Sequence, residues 1–263
     1  MIAIGLWFLL FIAVAVGNIF FIVTAVISRR ISVSFIVAVI ILLVIILLEG
    51  FLLMQLRSQV SRNAAYWHSH GDVTPGKLVY IALGDSAAQG IGASTPTKGY
   101  VQLVANNIAT SSGKQVSVVN LSRSGAKIGD VVRDQLSQVA KYRPAVVTID
   151  IGANDIVAGT SEADMLKGYD QIFTALAAFP TVAADLPDFM WGTQQRNTEQ
   201  VNIGIRALAK KHGVQIAPLH AATKTHMWSW NEYAADGFHP NDAGHKTWAA
   251  PFLQTINQQR IGQ

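Results

Sequence analysis

The 263-residue chain contains no cysteine. Disulfides, thiol nucleophiles and cysteine-ligated metal sites are therefore excluded, while the compartment stays open. Charge is also scarce, with 14% Asp, Glu, Lys and Arg and a net charge of +4. The basic residues are scattered and form no stripe, which removes the electrostatic footprint of a nucleic-acid binder. His68 and His70 stand as a close pair with no third ligand type nearby, so no metal or cofactor is expected. The scarcity is extreme at the N-terminus. Residues 2–27 carry no charge and residues 31–54 carry only Glu49.

Each of these runs exceeds the ~20 residues that cross a bilayer as a helix. With Arg29 and Arg30 between them, they read as a transmembrane hairpin that makes the bilayer a partner of the chain. A cleaved signal peptide fits less well, because no basic stretch precedes the first run and the second would be left unexplained. The two arginines in the connection favour a cytoplasmic loop, and hence a domain outside the membrane. Arg57 and Arg62 pull the other way, but the uncharged N-terminus is easily translocated. The expected organisation is a membrane hairpin over 1–56, a polar linker over 57–76 and one globular domain over 77–263. The domain is long enough for a sizeable core.

Within the domain, short apolar runs alternate with helical spacing. Strands are expected at 78–83, 116–120, 145–151, 181–185 and 214–218. Helices are expected at 100–110, 128–139, 163–178, 195–212 and 241–258, the last capped by Asn241 or Asp242. That alternation predicts an α/β fold with a parallel sheet covered on both faces. Ligands of such sheets bind beyond the carboxyl ends of the strands.

Four segments there carry chemistry. Ser86 lies just past the first strand in Gly84-Asp85-Ser86, where a glycine permits a sharp turn. His239 closes Asp236-Gly-Phe-His239, which lets one tight turn supply both a base and the acid that orients it. A serine hydroxyl needs such a base to become a nucleophile. Gly125 follows the second strand and Asn154 the third, and their amides are suitable donors for a developing oxyanion. Each segment alone is also an ordinary turn. Together, in order and each at a strand end, they read as a site. Gly90 and Gly92 form only an incomplete nucleotide fingerprint.

These blocks, GDSAAQG (84–90), NLSRSG (120–125), GAND (152–155) and DGFHPN (236–241), resemble those of the SGNH/GDSL hydrolase family across about residues 77–250. Ala87 stands where the GDSL name has leucine, and the hairpin is outside the family pattern. The resemblance implies a three-layer α/β/α, flavodoxin-like fold and cofactor-free hydrolysis of esters or thioesters. It implies Ser86 as nucleophile, His239 as base and acid, and Asp236 as its orienter. It also implies an oxyanion hole of the Ser86 and Gly125 N–H groups with the Asn154 side chain, and loop-holding roles for Asp85 and Asp155. The expected substrate is an ester of a lipid or a cell-envelope glycan. Acyl transfer to a sugar or lipid hydroxyl, or an inactive tethered binding domain, are the alternatives. Trp191, Trp228 and Trp230, with nearby Tyr233, are expected at the mouth, either against substrate or covering a small loop core.

Overall fold

The computed structural model describes Gly17, Val23 and residues 33–188, 192–225 and 230–262. The expected span over 2–27 therefore lies outside the described residues, apart from those two positions.

Five strands form one sheet: β1 (Leu78–Gly84), β2 (Val116–Asn120), β3 (Val146–Asp150), β4 (Thr181–Ala184) and β5 (Gln215–Ala217). Their spatial order is β2-β1-β3-β4-β5 and every pairing is parallel. Side chains alternate between faces. On β1, Val79, Ile81 and Leu83 join one core, and Tyr80 and Ala82 join the other. The first core is closed by α6 (Glu162–Leu176), α7 (Gly192–His212) and the helical stretch over 128–139. The second is closed by α2 (Tyr100–Ser112) and α9 (Asp242–Gln259). Tyr80, Tyr100, Tyr169, Phe173 and Phe252 are among the fully buried side chains, each worth ~1.5–3 kcal/mol of apolar burial. The three-layer α/β/α fold follows. Strand order reverses direction between β1 and β3, whose last residues, Gly84 and Asp150, pair directly. The crevice expected at such a switch point thus opens beyond these two residues.

Strand and helix positions agree with the sequence reading to within a few residues. Asn241 caps α9, its Oδ1 accepting from the Ala243 and Gly244 N–H groups. Two features differ. The expected helix over 128–139 is broken into α3 (Ile128–Asp130), a π-helical turn (Val131–Gln135) and α4 (Leu136–Val139). Such an insertion re-aims side chains, and here it turns Gln135 into the core, where it is buried.

The second correction concerns the linker. Residues 57–70 are not a loose polar connection but the last four turns of a single helix, α1 (Val33–His70). Only residues 71–77 connect it to β1. Polar composition suggests a linker. The helical signal is the spacing of Gln59, Asn63 and Trp67, which puts all three on one face. That face docks on the domain, and Asn63 and Trp67 are buried. The other half of α1 is bare: Leu47 and Met54 are 71% and 70% exposed. Among the described residues α1 is one helix long and apolar enough to cross a membrane.

Candidate active site

Gly84 ends β1 with φ of 146°, and a Cβ there would stand 2.2 Å from the Asp150 carbonyl oxygen. Only glycine lets β1 and β3 approach this closely while the chain turns. Gln135 grips the same residue from the π-helical turn. Its Oε1 accepts from Gly84 N at 2.9 Å and its Nε2 donates to Gly84 O at 2.9 Å. Asp85 then forms an Asx turn, accepting from Ala87 N at 3.1 Å. Ser86 is thereby held at the switch point, 5% exposed.

The turn before α9 brings His239 to it. Asp236 Oδ1 accepts from the Phe238 and His239 N–H groups, both at 3.0 Å. Asp236 Oδ2 is 2.6 Å from His239 Nδ1, and His239 Nε2 is 2.8 Å from Ser86 Oγ. Burial would raise the Asp236 carboxyl, but hydrogen bonds from the His239 ring and the two backbone N–H groups hold it below the usual range. A carboxylate at Nδ1 fixes the tautomer with its lone pair on Nε2, the atom that faces the serine. The turn is braced by a bridge between Tyr233 and Pro240 and by Asn241 Nδ2 donating to Tyr233 O. Gly92 (φ 92°) packs so close to Pro240 that a Cβ would lie 2.2 Å from its carbonyl oxygen, so the Gly90–Gly92 loop seats the histidine turn.

Gly125 has φ of 77°. Neither its N–H nor that of Ser86 has a hydrogen-bond partner among the described residues. Asn154 lies in α5 (Ala153–Val157), the short helix after β3. Its Nδ2 donates to Asp85 Oδ2 at 3.1 Å and to Ala126 O at 3.0 Å. It therefore ties the serine loop to the Gly125 loop, and an acyl oxygen at this amide must share one of its two hydrogens. Asp155 accepts from Ile128 N at 3.0 Å and holds the start of α3. The four blocks read from the sequence thus converge at one sheet end.

Several neighbours carry no sequence signal. Asp150 is buried under the serine loop, accepting from Trp248, and burial pushes its carboxyl up to about 7. Asp85 is likewise raised to about 7, first by burial and then by Asp150. Gln89 Oε1 accepts from Ser124 N at 3.0 Å, and Gln89 Nε2 donates to Ser122 O at 3.1 Å, which fixes the loop leading to Gly125. The docked face of α1 holds the other side of that residue. Asn63 Nδ2 donates to Gln89 O and Gly90 O, both at 3.1 Å, and Trp67 Nε1 donates to Gln89 O at 3.1 Å. Gln59 Oε1 accepts from Gly92 N at 2.8 Å.

The sequence model of the GDSL-like Lipase/Acylhydrolase family matches residues 82–247. That is well over half of the chain and contains all four blocks. This chain belongs to that family. It is an ester-hydrolysing enzyme. No curated protein matches it. Among solved structures it is similar to TesA, with 21% identity, TM-score 0.60, and coverage of 68% of this chain and 98% of that one. LAE5, an alpha/beta hydrolase from the metagenome of Lake Arreo in Spain, is 20% identical with TM-score 0.59, covering 72% and 98%. Axe2, an acetylxylan esterase from Geobacillus stearothermophilus, is 19% identical with TM-score 0.57, covering 70% and 96%. At these identities the likeness concerns the fold, which is the three-layer parallel sheet described above.

Of the remaining expected residues, Trp191 and Trp228 lie outside the described residues, and Trp230 opens a short 3-10 turn, Trp230–Glu232. Tyr233 does line the pocket at Ser86. His220 is on α8 (Leu219–Thr225). His245 is structural: its Nε2 donates to Ile91 O at 3.1 Å and its Nδ1 accepts from Tyr100 N at 3.3 Å. Burial pushes it down to about 4.

Proposed function

We propose that this protein is a membrane-anchored serine esterase that works through an acyl-enzyme on Ser86. The observation that carries the reading is the continuous chain Asp236–His239–Ser86, with links of 2.6 and 2.8 Å. Ser86 Oγ attacks the ester carbonyl as its proton passes to His239 Nε2. Asp236 holds the imidazole tautomer and stabilises the imidazolium. The carbonyl oxygen, now negative, is received by the N–H groups of Ser86 and Gly125 with the Asn154 amide, each such donor being worth ~3 kcal/mol. His239 then gives its proton to the leaving alcohol. Water, deprotonated by His239 in turn, attacks the acyl-enzyme and releases the acid with Ser86 restored.

The anchor in this reading is the apolar half of α1, with residues 2–27 as a second span. The hydrolase domain over 77–263 then faces away from the cytoplasm, on the strength of Arg29 and Arg30 between the runs. The substrate class is an ester of a lipid or a cell-envelope glycan. The solved structures of acetylxylan esterases with this fold are in keeping with the second.

A fluorophosphonate probe tests the chemistry. Labelling is expected in the wild type and absent from Ser86→Ala and His239→Ala. A well-folded wild type that takes no label would end the proposal. Protease added to spheroplasts tests the orientation: the domain is expected to be digested without lysis, and full protection would reverse it.

A further inference from the structure

The pocket beside Ser86 and His239 has a second wall that the chemistry above does not use. It is formed by the segment after β4, and its polar residue is Asp188. This side chain is only 8% exposed, yet neither carboxylate oxygen has a hydrogen-bond partner among the described residues. Buried carboxylates are rarely left so, because the desolvation cost is not returned. Its position is not loose. Asp188 N donates to Thr223 Oγ1 at 2.8 Å. Two residues earlier, Asn202 clamps Leu186 by accepting from its N–H at 2.7 Å and donating to its carbonyl at 3.0 Å. This repeats just past β4 what Gln135 does at the end of β1. The fold thus places an acceptor-only group firmly in the same small cavity, about 50 Å³, that holds the nucleophile.

An unpartnered carboxylate accepts either from a neutral hydroxyl or from a cation. The surroundings favour the hydroxyl. His220 and Lys224 act on Asp188 with one sign and Glu199 with the other, and Lys224 and Glu199 pair with each other at 3.6 Å, so the charges around Asp188 add nothing to the attraction of a cation. Asp150 Oδ2, also without a partner, adds a second acceptor to the cavity. The remaining walls include Pro187, Phe238 and Trp248, which offer apolar faces to the C–H side of a ring. The small volume suits a short acyl group and a hydroxylated alcohol better than a long chain.

We propose that Asp188 is a specificity residue that accepts a hydrogen bond from a hydroxyl next to the ester, so that the substrate is a short-chain ester of a polyol or sugar ring. This rests on the esterase reading above. Two acetate esters that differ by one hydroxyl test it: trans-2-hydroxycyclohexyl acetate and cyclohexyl acetate. The wild type should favour the first in kcat/KM by roughly 10- to 100-fold, the discrimination a buried charged acceptor supplies. In Asp188→Asn and Asp188→Ala that ratio should collapse to within about threefold. Each ratio is read within one protein sample, so a partly unfolded variant does not distort it. A mono-O-acetylated methyl xyloside should follow the hydroxylated ester. A ratio near one in the wild type, or a preference that survives both substitutions, overturns the role of Asp188 and leaves the esterase standing. A preference for acetylcholine that disappears in Asp188→Asn overturns it too, because the carboxylate would then read a cation. No turnover of any ester together with no fluorophosphonate labelling removes the esterase reading itself.

Discussion

The two walls of the pocket treat their polar atoms differently. On the Ser86 wall the polar side chains are partnered by the protein: Asp236 to His239, His239 to Ser86, Asn154 to Asp85 and Ala126. On the Asp188 wall both carboxylate oxygens of Asp188 have none among the described residues, and neither does Oδ2 of Asp150, which also lines the pocket. The first arrangement holds its side chains relative to one another and leaves open only backbone donors, the N–H groups of Ser86 and Gly125. The second leaves buried acceptors exposed to whatever enters, at a cost to stability. Preorganisation for chemistry and readiness for a ligand are thus divided between β1 with its loops and the segment after β4.

The largest test of that division is Ser86→Ala. It should lower kcat by roughly 10⁴- to 10⁶-fold on every ester, hydroxylated or not, since the partnered wall does not read the alcohol. A loss confined to one ester class, in kinetics on the two cyclohexyl acetates, would erase the distinction. Asn154→Ala comes next, with a loss of about 10²- to 10³-fold in kcat and little change in KM. A KM effect alone would instead make Asn154 a tie between loops and no more.

The partnered wall reaches as far as α1, and Asn63→Ala probes that extension. It strips two carbonyls, of Gln89 and Gly90, of a buried donor, at a cost of about 1–3 kcal/mol in denaturant unfolding. An unchanged unfolding midpoint would show the docked face to be incidental.

The smallest effect sharpens the other wall. Burial holds the Asp150 carboxyl up near 7, well above its ordinary 3.8. The folded chain therefore keeps a proton in this window that the unfolded chain has lost, so stability falls as pH rises from about 4 to about 7. His245 has the opposite sign, since its folded value near 4 lies below its ordinary 6.5. Comparing Asp150→Asn with the wild type cancels that contribution. In denaturant unfolding at pH 8 the variant should be the more stable by about 1–3 kcal/mol, with the gap closing toward pH 4. A gap that widens toward acid would mean that the folded chain binds the Asp150 proton less tightly than the unfolded one.

The framework and the partnered wall were legible in the sequence because each leaves a local trace. β-branched runs such as 145–151 mark buried strands, and Asp236-Gly-Phe-His239 puts an acid and a histidine on one tight turn. The rest acts through partners that have no sequence signature. Asn63 and Trp67 bond to backbone carbonyls, so polar composition alone makes their helix look like a linker. Gln135 bonds to the Gly84 backbone, and only a π-helical turn aims it there. Asp188 differs from other aspartates in what it lacks, and a missing partner appears only once neighbours are in place. Its position just past the β4 end was the available hint.

α1 is unbroken from Val33 to His70, about 57 Å at the usual helical rise. No swivel separates its greasy end from the end that grips the serine loop. Set in a bilayer, such a shaft would hold the enzyme at one altitude above the headgroups. Its diet would then be decided by which acylated molecules drift past at that height.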